Sequence, residues 1–125
     1  MNNRAFFRDA EGATAVEFAL TSPVYFLALF GLAQVGLWLW ADFSLQRAVN
    51  AASRCAAVLK TTTCANATDT EAYAASVTVG VPVSASAFTA TNAPCGWKVT
   101  AKYIVPTFVP ALPNINVNVS ACYPT

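Results

Sequence analysis

Few side chains in this 125-residue chain could take part in catalysis or metal binding. The chain has no histidine, which removes the commonest general base and the commonest metal ligand in proteins. No Ser–His or Cys–His pair can therefore form, and no glycine-rich phosphate loop is present. Beyond a long apolar run the only carboxylates are Asp42, Asp69 and Glu71. The sequence predicts no enzyme, no cofactor and no small-molecule substrate.

The four cysteines could form disulfides or remain free thiols. They all follow the apolar run, no two have Cys-x-x-Cys spacing, and without histidine we expect no metal site. An even number of cysteines in so small a segment is typical of a disulfide framework made in an oxidising compartment. Of the three possible pairings we favour Cys55–Cys64 and Cys95–Cys122, because each bridge joins segments expected to be neighbours.

Glu17 is the carboxylate in the most unusual surroundings. It directly precedes residues 18–41, a run of 24 residues without any charge. A carboxylate at the start of an apolar helix is costly unless it reaches the interface or a partner. Near a helix N-terminus it gains about 0.3–1 kcal/mol from the helix dipole. Taken alone, Glu17 would be an interfacial residue on the first turn.

The charge-free run accounts for a composition that is 56% hydrophobic and only 10% charged. As a helix it is about 36 Å long, enough to cross a hydrocarbon core of about 30 Å. A cleaved secretory signal has a shorter apolar region and ends in small residues, whereas this run ends in aromatic residues typical of a membrane interface: Trp38, Trp40 and then Phe43. We expect a retained transmembrane helix; a cleaved signal or a buried core helix are the alternatives.

Basic residues flank the run on both sides, so the positive-inside rule does not orient it. These residues are scattered rather than clustered, and the net charge is +1, which argues against nucleic-acid binding. The cysteines orient the chain instead. Disulfides require an oxidising compartment, which predicts a cytoplasmic N-terminus and an exported C-terminal part.

The residues around Glu17 resemble a known processing motif. Gly12 is followed by four small or apolar residues, then by Glu17, Phe18 and the apolar helix, with Pro23 shortly after. This spacing is similar to the cleavage site of type IV pilin-like proteins and specifically resembles the TadE-like family. The resemblance covers about residues 11–58.

The resemblance implies a protein that is processed rather than one that catalyses. A prepilin peptidase would cut between Gly12 and Ala13 on the cytoplasmic face. Glu17, with Phe18, would serve recognition and assembly. Glu17 would also neutralise the new ammonium group at Ala13 of a neighbouring subunit, because opposite charges attract strongly in lipid.

The function implied is that of a minor pilin or pseudopilin of a Tad (Flp, type IVc) pilus, a structural subunit that acts by helix packing after cleavage. Its partners would be the membrane, the prepilin peptidase, other pilins and the assembly platform. It would lie in the bacterial inner membrane with a periplasmic C-terminal domain, or in the extracellular pilus. The alternative is a single-pass anchored adhesive or protein-binding module of the cell envelope.

Periodicity predicts an α+β fold, a long N-terminal helix packed on a small antiparallel sheet of about three strands. Pro23 would kink the helix or be tolerated near the interface. Beyond the membrane one helix face is apolar up to Lys60. We therefore divide the chain into a leader (residues 1–12), a transmembrane and extended helix (13–60) and a small exported domain (61–125).

Within the exported domain, Thr68 begins a capping-box pattern that predicts a helix over residues 69–76. Alternating patterns predict strands over residues 77–85, 97–105 and 115–121, with Pro82 marking the first as an edge or interrupted strand. The stretch from Pro106 to Pro113 is expected to be a loop.

Overall fold

The computed structural model describes residues 4–59, 62–108 and 112–125, with side chains from residue 12 onward. Its helices are α1 (Arg4–Val58) and α2 (Ala67–Val77), and a 3-10 turn covers Ala85–Ala87. Its strands are β1 (Phe88–Ala93), β2 (Gly96–Val105) and β3 (Ile115–Tyr123). They form one sheet in the order β1-β2-β3, with both pairs antiparallel. The predicted α+β fold is confirmed.

The chain divides into two compact units. The first ends at Val35, and the second is Gly36–Thr125. The second unit contains the outer part of α1, the helix α2 and the sheet. The division into leader, helix and exported domain stays a prediction; side chains 1–11 and Lys60 lie outside the described residues.

The core of the second unit forms between the outer part of α1 and the inner face of the sheet. The helix contributes one stripe at 3.6-residue spacing, and the strands contribute alternate residues. The buried members are Ala41, Leu45, Ala48, Val49 and Ala52 of α1 with Ala74 of α2 and with Phe88, Ala90, Val99, Ala101, Val105, Val117 and Val119 of the sheet.

Ser53 in α1 and Leu59 just after it depart from the predicted amphipathic pattern. Ser53 is buried, and its hydroxyl donates to the carbonyl oxygen of Asn50 at 3.1 Å. A small residue that satisfies its own hydroxyl can therefore stand on the packed face. Leu59, expected on that face, is exposed because α1 already ends at Val58.

The predicted strand over residues 77–85 is wrong. Val77 ends α2, residues 78–84 pair with no strand of the sheet, and the 3-10 turn follows. Gly80 has φ +72°, which breaks an extended run, and Pro82 has no N–H to donate. The first strand is instead β1, whose sequence FTATNA contains a single large apolar residue and so gives a weak strand signal.

The start of α2 also differs from the prediction. The cap is Asn66, whose side-chain oxygen accepts a hydrogen bond from the N–H of Asp69 at 2.8 Å. The hydroxyl of Thr70 donates to the carbonyl oxygen of Asn66 at 2.8 Å and is fully buried. Thr68, the predicted cap, lies inside the first turn.

Two disulfides close the second unit, in the pairing favoured from the sequence. Cys55–Cys64 is buried and joins the end of α1 to the segment before α2, with Cα atoms 5.9 Å apart. Cys95–Cys122 joins the β1–β2 turn to β3, with Cα atoms 6.2 Å apart. Cys95 and Cys122 are both exposed, so this second bridge lies on the surface.

Candidate functional site

The inner half of α1 presents apolar side chains in every direction. Consecutive residues Val24 to Leu27 are all exposed, and successive residues of a helix point about 100° apart. From Gly12 onward α1 is long and apolar enough to cross a membrane. A helix that is apolar on all sides needs lipid or other helices around it. This segment is therefore the first candidate for function.

Glu17 lies near the start of the apolar part of α1 and is exposed. Ala13 precedes it by four residues and Thr21 follows it by four, so the three lie on one face of α1. The Thr21 hydroxyl donates to the carbonyl oxygen of Glu17 at 2.9 Å, which satisfies the hydroxyl within the helix. The carboxylate thus projects from a helix face on which its polar neighbour already has a partner.

The structure places the Gly12–Ala13 peptide bond inside α1. A side chain at Gly12 would meet no atom within 4 Å, so the surroundings of this turn are open. Phe18 is 70% exposed beside Glu17. α1 continues through Pro23, and a kink at this residue stays a prediction. Gly12, Ala13, Glu17 and Phe18 therefore lie within about two turns of one another on α1, whereas the cysteines belong to the second unit.

Residues 12–54 match the TadE-like protein family. The match begins at Gly12 and includes Glu17, Phe18 and Pro23, so the resemblance noted from the sequence is confirmed. No curated protein and no solved structure matches the chain. A match to this family suggests an association with the membrane and with Tad pilus components.

The second unit carries polar groups that serve its own folding. All four cysteines are paired, and among the residues that the structure describes no group of acidic or thiol side chains is arranged to hold a metal ion. Within the same ranges, every buried side-chain nitrogen or oxygen has a hydrogen-bond partner. The polar atoms of this core are thus committed to internal bonds.

Two residue pairs join distant segments through side-chain hydrogen bonds, and neither pair was predicted from the sequence. The Ser44 hydroxyl donates to the carbonyl oxygen of Val79 at 2.9 Å and accepts from the N–H of Val79 at 3.1 Å. A carboxylate oxygen of Glu71 on α2 accepts from the N–H of Ala90 in β1 at 3.0 Å. No local sequence signal marks either residue pair, because the partners lie 35 and 19 residues apart.

Proposed function

We propose that this protein is a minor pilin or pseudopilin needed for assembly of a Tad pilus. It has no catalytic activity, and it acts by packing the inner half of α1 among other pilin helices after removal of residues 1–12. The observation that carries the proposal is the family match over residues 12–54 on a helix segment that is apolar on every side.

The position of Glu17 supports a role in helix packing. The new amino group at Ala13 would lie one helical turn from Glu17 on the same face of its own chain. A carboxylate of a neighbouring chain could reach the same ammonium group, and pairing would lower the cost of holding both charges in lipid. The charge pair would then fix the axial register between adjacent helices.

Processing at Gly12 fits the local backbone. A peptide bond inside a helix must unwind before a peptidase can hold it, and glycine weakens a helix by about 1 kcal/mol relative to alanine. Gly12 therefore lowers the cost of opening the helix at the bond to be cut. Residues after it can remain helical in the membrane.

The second unit supports a position outside the cytoplasm. Two disulfides within residues 36–125 are stable in an oxidising compartment, whereas the cytosol would keep their cysteines as free thiols. We therefore place the N-terminus in the cytoplasm and the second unit in the periplasm, with the prepilin peptidase and the assembly platform as partners at the inner membrane.

N-terminal mass spectrometry of protein purified from membranes tests this proposal. We expect the mature chain to begin at Ala13. A Gly12→Asp variant, or cells without the peptidase, should keep all of residues 1–12, whereas Gly36→Ala, a change on the same helix with open surroundings, should be processed normally. A mature protein that keeps its first residues in piliated cells would contradict the proposal.

A further inference from the structure

An apolar groove of about 220 Å³ lies in the second unit, between α1 and two loops. Its walls come from one turn of α1, from residues 80–82 and from the end of β2 with the segment after it. They are formed by Leu37, Trp40, Ala41, Gly80, Val81, Pro82, Tyr103, Val105, Pro106 and Phe108. No wall residue carries a charge.

Hydrogen bonds and packing fix the level of this groove along α1. Val79 is held beside Ser44 by the two bonds described above. Gly80 lies against the indole of Trp40, since a Cβ on Gly80 would be 2.7 Å from the indole nitrogen. The loop therefore runs past α1 at residues 40–44, where the charge-free run of residues 18–41 ends.

Apolar side chains at this level are exposed. Val79 is 59% exposed and Phe108 is 72% exposed, and Ile104 and Leu112 also face outward. Exposed apolar clusters on a soluble surface favour association with a partner. Aromatic residues are enriched where a membrane helix leaves the hydrocarbon core, which is the level of Trp38 and Trp40 on α1.

We infer that the groove and its rim, the exposed residues Val79 and Phe108, form a second membrane contact. The loops that carry these two residues enter the lipid interface beside α1. The occupant of the groove is lipid of the membrane that α1 spans. The inference rests on the transmembrane part of the proposed function. It would hold the second unit against the bilayer surface and limit its tilt, in addition to the single helix that anchors it.

Continuity with the apolar helix favours lipid over a protein occupant. The same turn of α1, Leu37 to Ala41, both closes the apolar run and lines the groove. If that turn is at the lipid boundary, loops bonded to the next turn lie within about 5 Å of the same depth. At that depth an empty apolar groove faces acyl chains and headgroups rather than bulk water.

Paramagnetic broadening of backbone amide signals tests the inference in the full-length protein. The protein is placed in nanodiscs of phosphatidylcholine with a fraction of the lipid carrying a nitroxide near the top of the acyl chain. We expect the amide signals of Val79 and Phe108 to be strongly attenuated. Those of Trp97 and Tyr123, which are paired about 26 Å along β2 from Val105 in the groove wall, should keep their intensity.

Two matched variants separate lipid contact from general effects. Val79→Asp puts a charge on the rim and should abolish most of the attenuation there. Val58→Asp changes a valine of similar exposure, 62%, about 27 Å along α1 from Trp40 and should leave the attenuation unchanged. Equal attenuation at all four reporter amides, or none at Val79 and Phe108, would overturn the inference.

Further outcomes distinguish this inference from the function on which it rests. If alkaline carbonate washes the chain from membranes, α1 does not span the bilayer and both proposals fail. If the chain stays in the membrane but the rim amides are not attenuated, only the lipid contact fails. Attenuation that disappears as the protein-to-lipid ratio rises would identify a second copy of the chain as the occupant and would also overturn the inference.

Discussion

Glu17 is the one acidic residue between Gly12 and Ala41, and it stands on an exposed helix face. If it pairs with the ammonium group of a neighbouring subunit, removing its charge should leave membrane insertion intact and prevent assembly. We expect Glu17→Ala and the neutral, similarly shaped Glu17→Gln to reach normal levels in the membrane fraction while piliation is lost, measured as sheared pili per cell.

Thr21→Ala is the matched control for Glu17. Thr21 lies one turn away on the same face, and its hydroxyl bonds only to the backbone of its own helix. We expect this variant to assemble pili normally. Normal piliation in Glu17→Gln would show that the charge is not needed and would remove the ion-pair role.

Glu71 is a second residue with a specific role, which is structural. Its carboxylate accepts from the N–H of Ala90, a part-buried group on the side of β1 away from β2. Glu71→Ala leaves that donor without its acceptor, so we expect a loss of about 1–3 kcal/mol in unfolding free energy. Denaturant unfolding in detergent, followed by tryptophan fluorescence, measures it.

Glu71→Gln keeps an acceptor oxygen at the same place and removes the charge. We expect this variant to lose clearly less stability than Glu71→Ala. Equal losses in the two variants would mean that the charge, rather than the hydrogen bond to Ala90, is what stabilises the contact between α2 and β1.

At the scale of elements, the start of α2 offers a test of which residue caps it. Asn66→Ala removes the acceptor for the N–H of Asp69, so we expect a loss of about 0.5–2 kcal/mol. Thr68→Ala changes an exposed residue inside the first turn, and its effect should stay within roughly 0.5 kcal/mol. The same unfolding measurement applies. A larger loss in Thr68→Ala would contradict the observed cap.

α1 is a single helix whose two halves differ in how apolar residues are distributed around the helix axis. From Gly12 to Val35 its apolar residues face every direction, as lipid or neighbouring helices require. From Leu45 to Ala56 its buried apolar residues form one stripe, and the exposed residues of the opposite face, Arg47, Asn50 and Arg54, are polar. A helix needs one stripe where it covers one sheet, and apolar residues all round where nothing in its own chain covers it.

At the scale of the whole molecule, the two disulfides differ in access. A thiolate must reach a sulfur atom to reduce a disulfide, so the exposed Cys95–Cys122 bridge should open before the buried Cys55–Cys64 bridge. Titration with a mild reductant, followed by alkylation and mass spectrometry, gives the order. Opening of Cys55–Cys64 first would show that the end of α1 unfolds readily.

The exposed Cys95–Cys122 disulfide also reports on the orientation of the chain in cells. If the second unit is periplasmic, a reductant and an alkylating reagent that cannot cross the inner membrane should label Cys95 and Cys122 in spheroplasts. A cytoplasmic protein with exposed thiols serves as the control and should remain unlabelled. Labelling of Cys95 and Cys122 only after membrane lysis would place the second unit in the cytoplasm.

The sequence patterns that predicted elements correctly are those in which local pattern and burial agree. β2 and β3 alternate over long stretches, with apolar residues on one face and mostly polar residues on the other, so their period is clear. Residues 77–85 alternate just as regularly, yet they are not a strand. Alternation requires only that one side be apolar; it does not supply a hydrogen-bonding neighbour, and β1 occupies the edge of the sheet instead.

By itself the sequence determined the apolar run, the acidic residue before it and the α+β order of elements, because these depend on composition and short-range periodicity. Only the tertiary structure decided which segment joins β2 as its neighbour, that Ser44 holds Val79, that Glu71 bonds to β1, and that an apolar groove opens beside the end of the run. Those features depend on contacts between residues far apart in the chain, and single side chains with no local pattern make them.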